Sequence, residues 1–182
     1  MRSRMFLGAA AVAAVAMVFA GCGGAPPELE PTPTRTAQQP VFGSLDDAFE
    51  AAVAAFTRYI ELSNVIGAEG GVAPERLLEV VDDNDWAAEE IQGFRDFETN
   101  HVRVVGGITF SKSRLAQYQD ASSFIEMYTC ADVSAARVVD QNDVDITPER
   151  QEHVPYKVTL SVTRPETVRI SRIEAWDGLG IC

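Results

Sequence analysis

Tyr156-Lys157-Val158-Thr159-Leu160-Ser161-Val162-Thr163 alternates apolar and polar side chains over eight residues. That period of two belongs to a β-strand with one buried face. Arg164-Pro165-Glu166 is a short connection, and Thr167 to Trp176 supplies a partner strand. In the partner the apolar phase slips, from Val168 and Ile170 to Ile173 and Ala175, which predicts a β-bulge near Ser171 and a bent sheet. Upstream of this pair, Phe124 to Cys130 and Arg137 to Asp140 read as further strands, the second ending in a turn over Gln141-Asn142-Asp143. Val102 to Phe110 reads as one more strand, bent at Gly106-Gly107.

Upstream of residue 100 the period is helical. Ser44 is placed to cap a helix, with Asp46 and Asp47 in a first turn where the helix dipole favours negative charge. Leu45, Phe49, Ala52, Val53, Phe56, Ile60 and Ser63 then follow helical spacing to about residue 65. Gly67 to Gly71 ends that run. Pro74 suits the start of a short second helix reaching Val80 or Val81. Asp83 or Asn84 caps a third, carrying Trp86, Glu90 or Ile91, Phe94 and Phe97 to about Thr99. Helices followed by a meander of strands specify an α+β domain, with N-terminal helices packed on a curved antiparallel sheet.

The chain has 182 residues and 19.8 kDa, 46% hydrophobic and 23% charged. This is globular composition with room for one ordinary domain. A net charge of −12 would repel a phosphate backbone, which argues against nucleic-acid binding.

The first 22 residues read as an export signal. Arg2 and Arg4 precede an uncharged apolar run from Phe6 to Ala20, shorter than the roughly 20 residues a membrane-spanning helix needs. Phe19-Ala20-Gly21-Cys22 follows and resembles the bacterial lipobox, with Phe19 standing where Leu, Val or Ile is usual. The resemblance implies cleavage before Cys22 and a diacylglyceryl thioether on its sulfur. Acyl anchoring of this kind holds a protein at a membrane, here on the extracytoplasmic side. Residues 22–43 carry Pro26, Pro27, Pro31, Pro33 and Pro40 with no apolar period, and read as an extended tether. At about 3.1 Å per residue such a tether spans on the order of 60 Å. The expected organisation is therefore signal peptide 1–21, tether 22–43 and folded domain 44–182. Arg outnumbers Lys by 13 to 2, a bias that suits a high-GC bacterium.

In element order, 44–182 resembles the nuclear transport factor 2-like superfamily. Tyr128-Thr129-Cys130-Ala131-Asp132-Val133-Ser134, Val138-Val139-Asp140, Trp176 and Cys182 look like a pattern of its secreted actinobacterial members. The resemblance implies a cone-like fold enclosing a cavity, with either non-catalytic binding or isomerase-type chemistry inside. Tyr59, Trp86, Phe94, Tyr118, Tyr128 and Trp176 are candidates to line that cavity, although plain core packing accounts for them more simply. Asp132 is the carboxylate nearest to a site, although a hydrogen bond to the turn at Ser134 accounts for it as well. No carboxylate matches a catalytic motif, so none is assigned.

With Cys22 consumed by lipid, Cys130 and Cys182 remain as two thiols in an oxidising compartment, and a disulfide between them is expected. His101 and His153 read as exposed strand histidines without metal spacing. The acidic runs 82–85 and 140–145 lack the glycine and distal glutamate of a calcium loop and read as a cap and a turn. No G-x-S-x-G or phosphate-loop motif is present. No metal or cofactor is implied. The expected function is a membrane-tethered, non-catalytic binding domain for an envelope protein or a small apolar ligand. The alternative is a small pocket enzyme of isomerase or cyclase type.

Overall fold

A computed structural model describes residues 40–120, 123–178 and 180–182. The lipidation site Cys22, the signal peptide and most of the tether lie outside the described residues. Two helices pack on one face of a curved antiparallel sheet, as the patterning predicts.

Helix α1 runs Leu45–Ala68. The Ser44 hydroxyl accepts from the Asp47 N–H at 3.1 Å, and Asp46 and Asp47 occupy the first turn. Its buried face is Ala48, Ala52, Ala55, Phe56, Tyr59 and Ile60. Three alanines on that face let the helix axis approach the sheet closely, while Phe56 fills the space between. The helix turns back through Gly70 and Gly71, both at positive φ. A Cβ on Gly71 would lie 1.9 Å from the carbonyl oxygen of Phe94, so only glycine fits there. Pro74–Glu79 forms a short 3-10 helix. Helix α2 spans Asp85–Asn100, capped by the Asn84 side chain, which accepts from the Ala87 N–H at 2.9 Å. His101 closes α2 in the left-handed region at φ 54°. The sequence placed it on a strand, but the strand begins two residues later.

Among the described residues six strands follow: β1 Arg103–Val105, β2 Thr109–Gln119, β3 Phe124–Asp132, β4 Arg137–Val139, β5 His153–Arg164 and β6 Thr167–Ala175. The main sheet has the order β2-β3-β5-β6, and β1 pairs with β4 in a separate ribbon; both are antiparallel throughout. The strand expected over 102–110 is therefore two strands in two sheets. Gly106 and Gly107, at φ 94° and 125°, carry the chain from one to the other. Strand β2 continues to Gln119, a stretch too polar to show a period in the sequence. In β6, Leu160 pairs with Ile170 and Thr159 with Arg172, leaving Ser171 as the extra residue of a bulge. Such bulges bend a sheet, and β2 carries two more irregularities.

Ile125, Met127, Val158, Leu160 and Ile170 turn to the helices and are fully buried with Phe56, Ile66 and Leu77. The core also takes in Phe42, at 6% exposure, whose ring meets Tyr118 edge-on at 5.5 Å. The Val41 N–H donates to Asp120 at 2.8 Å. Packed chain thus begins before residue 44, because an aromatic at 42 finds apolar surface within reach. On the other face of the sheet, Cys130 and Cys182 stand at disulfide distance, with Cα atoms 5.2 Å apart. Ile181 is buried beside that bridge, so two adjacent residues hold this end of the chain. Among the described residues no helix is long and apolar enough to cross a membrane.

Candidate functional site

The aromatic residues singled out from the sequence do not converge on one cavity. Tyr59 on α1 and Trp86 on α2 meet at 6.1 Å between ring centroids and are buried as core. Phe94, half-buried on α2, packs edge-on against Phe97 at 5.7 Å. Tyr118 lies near the far end of β2, where its hydroxyl donates to Asp120. Tyr128 and Trp176 are on the opposite face of the sheet, stacked at 4.0 Å with the Arg114 guanidinium 5.5 Å and 5.8 Å from their rings. The six candidates thus fall into four separate groups instead of one common lining. Alternation explains the split. Met127 faces the helices, so its neighbour Tyr128 must face away.

Asp132 closes β3 and accepts from the Ser134 N–H at 2.9 Å, the turn contact expected of it. The Ser134 hydroxyl and N–H hold its carboxyl below the usual carboxylate range, with His153 at 3.7 Å adding to this. The acidic run at 140–145 is likewise a turn, in which Asp140 accepts from the N–H groups of Asn142 and Val144. Asp82 accepts from the hydroxyls of Ser161 and Ser171, tying the segment after the 3-10 helix to the β6 bulge.

Sequence reasoning missed one half-buried acidic constellation. The Tyr59 hydroxyl donates to Glu90 Oε2 at 2.9 Å. Burial raises the Glu90 pKa, and the Tyr59 hydrogen bond opposes that rise. Burial also raises Tyr59 well above its ordinary value, with the Glu90 charge contributing. Tyr156 on β5 is raised by burial first and by the Glu90 charge second. Glu90 and Ile91 competed for the inward position of α2 on helical spacing. The structure buries Ile91 and turns Glu90 partly inward through its bond to Tyr59.

A groove of about 470 Å³ opens where the end of α2, the β1–β4 ribbon and the start of β5 meet. Its apolar walls are Phe97, Val104, Ile108, Val138, Val154 and Tyr156. The β3–β4 turn adds Val133 and Ala136, and Arg150 and Gln151 provide the remaining polar surface. None of its lining residues is acidic. Arg150 is fixed in place, its Nη2 donating to the carbonyls of Val133 (3.0 Å) and Ala136. Asn64 on α1 braces the same region, accepting from the Ile108 N–H at 2.8 Å and donating to its carbonyl at 2.9 Å. Of the groove-lining residues, Phe97 and Tyr156 are placed on a buried face by their sequence spacing. Strands β1 and β4 have three residues each, too few to display a period.

These features define an α+β domain with helices on one face of a bent antiparallel sheet and an apolar groove at its mouth. No family model matches the sequence, and no curated protein matches it either. Among solved structures, the intermembrane space region of the chloroplast protein ARC6 is similar, with a TM-score of 0.53 and 10% identity. The match covers 71% of this chain and 97% of that one. At that identity the likeness concerns the fold alone.

Proposed function

We propose that this chain is an exported lipoprotein, anchored through Cys22 on the extracytoplasmic side of a cell membrane. Its folded domain is then a non-catalytic binding module of the nuclear transport factor 2-like kind. The anchoring half of the proposal rests on the charged start, the short apolar run and Ala20-Gly21-Cys22. The binding half rests on the groove, whose apolar walls and few polar groups are what small-ligand sites generally offer. Its ligand is a small apolar molecule or an apolar segment of an envelope protein.

One observation favours the enzyme alternative, the half-buried carboxylate of Glu90 with its raised pKa. Two others weigh against it. Glu90 is engaged with the Tyr59 hydroxyl, and it is not among the residues that line the groove. A general base must come within hydrogen-bond reach of the proton it takes. A groove without an acid, beside a carboxylate already engaged, supports binding over proton transfer.

Anchoring is tested by intact-mass analysis of protein recovered from bacterial membranes. The expected result is wild-type protein lacking residues 1–21 and carrying a diacylglyceryl mass. Cys22→Ser is expected to accumulate as the full-length precursor. Normal cleavage of the wild type with no acyl mass would overturn the anchored reading.

A further inference from the structure

We infer that the groove binds a single-chain amphiphile with a carboxylate head, the chain lying along the β1, β4 and β5 walls and the head at Arg150. This rests on the binding-module reading above and adds the chemistry of the ligand. The volume, about 470 Å³, is within the range of small-ligand pockets, roughly 300–1,000 Å³. Val104, Ile108, Val138 and Val154 form an aliphatic wall that suits methylene groups, with the rings of Phe97 and Tyr156 completing the lining. Polarity is concentrated in one place, since Arg150 and Gln151 are consecutive in the chain.

Arg150 carries the argument about charge. Its Nη2 is committed to the Val133 and Ala136 carbonyls, which set the plane of the guanidinium. Among the described residues it has no ion pair and no other hydrogen bond, so Nε and Nη1 keep their donors free. Asp145 is close enough to feel the Arg150 charge but makes no ion pair with it, and the planar fork of the guanidinium matches a carboxylate. In a chain with net charge −12, such a cation beside an acid-free apolar surface is a specific complement to an anion. The choice of a singly charged head follows from the other side of Arg150. There an adjoining depression is lined by Asp145, Glu149 and Glu152. Those carboxylates would repel a doubly charged phosphate more strongly than a carboxylate.

The test uses the full chain in its membrane and a dodecanoate probe carrying a diazirine near its methyl end. After photolysis, labelled peptides are mapped by mass spectrometry. Labelling is expected on peptides containing Val104 and Ile108, Val138 or Val154. Dodecanoate is expected to compete about tenfold more effectively than dodecanol, and dodecyltrimethylammonium less effectively than either. Competition should strengthen about three- to fourfold per methylene from hexanoate to decanoate, the increment of apolar burial. Arg150→Gln is expected to remove the advantage of dodecanoate while leaving dodecanol competition unchanged. That variant also loosens the β3–β4 turn, so the head-group series on wild-type protein stands as an independent measurement. Equal competition by dodecanol and dodecanoate would overturn the carboxylate assignment and leave the binding module standing. Labelling spread over the surface, or unaffected by every competitor, would overturn both.

Discussion

Glu90 shows how a single residue couples burial to pH. Its folded pKa is raised, chiefly by desolvation, so in the window above the ordinary glutamate value the folded state holds more proton than the unfolded chain. Its contribution to stability is then fully present below about pH 4.3, the unfolded value, and is lost as pH rises through the folded pKa. Glu90→Gln keeps an acceptor for Tyr59 and abolishes the titration. The melting temperature of the variant relative to wild type is expected to rise between pH 4 and neutrality. A difference that stays flat across that range would contradict the raised pKa. Two glycines give a second contrast at this scale. Gly71→Ala is expected to cost about 2–4 kcal/mol, because the residue sits at φ 85° against the Phe94 carbonyl. Gly93 lies on the exposed face of α2 with nothing within 4 Å of an added Cβ. Gly93→Ala is expected to stabilise by about 0.5–1 kcal/mol. Chemical denaturation of the two variants measures both.

At the scale of elements, Asn84 joins a helix to a bulge. Its Oδ1 caps α2 through the Ala87 N–H, and its Nδ2 donates to the Ser171 carbonyl at 3.0 Å. The bulge displaces Ser171 from the β5 ladder, and Asn84 and Asp82 take up polar groups of that residue. Asn84→Ala is expected to lose about 1–2 kcal/mol, more than Ser44→Ala at the exposed start of α1. Asn84→Ser keeps a cap and forfeits the cross-link, and an intermediate loss is expected. Equal losses for Asn84→Ala and Ser44→Ala would show that the link to the bulge contributes nothing. The bulge itself was legible in the sequence, since the apolar phase slips where β6 does. Its bond to residue 84 was not, because the two partners are 87 positions apart in the chain.

For the whole molecule, the Cys130–Cys182 bridge closes 52 residues spanning β4, β5 and β6. In the chain-entropy account a loop of that size is worth about 4 kcal/mol, and native proteins commonly realise 2–4. Cys182→Ser is expected to lower unfolding stability by about 2–4 kcal/mol, with Ile181 still buried to hold the segment. Equal denaturation midpoints with and without reductant would sink that expectation. The pairing could be anticipated from a count of available thiols, but the 5.2 Å approach depends on the path of the chain after Trp176.

The sequence alone determined the elements whose signal is local. Ser44 caps its helix through a bond to the residue three positions on, and the second cap was narrowed to Asp83 or Asn84, of which the structure uses Asn84. The alternation along β5 and the slip in β6 fix which side chains face the helices. These are short-range constraints of backbone geometry, and they suffice for the α+β class. Tertiary structure alone decided which surfaces meet. It put Tyr128 and Trp176 on the face away from Tyr59 and Trp86, and it turned Glu90 toward Tyr59. It also gathered Val104, Ile108, Val138 and Val154 into one groove. The last four come from segments separated by up to 50 residues, two of them on three-residue strands too short to show a period. Local patterning records whether a side chain prefers to be buried, whereas a site is defined by the neighbours it is buried among.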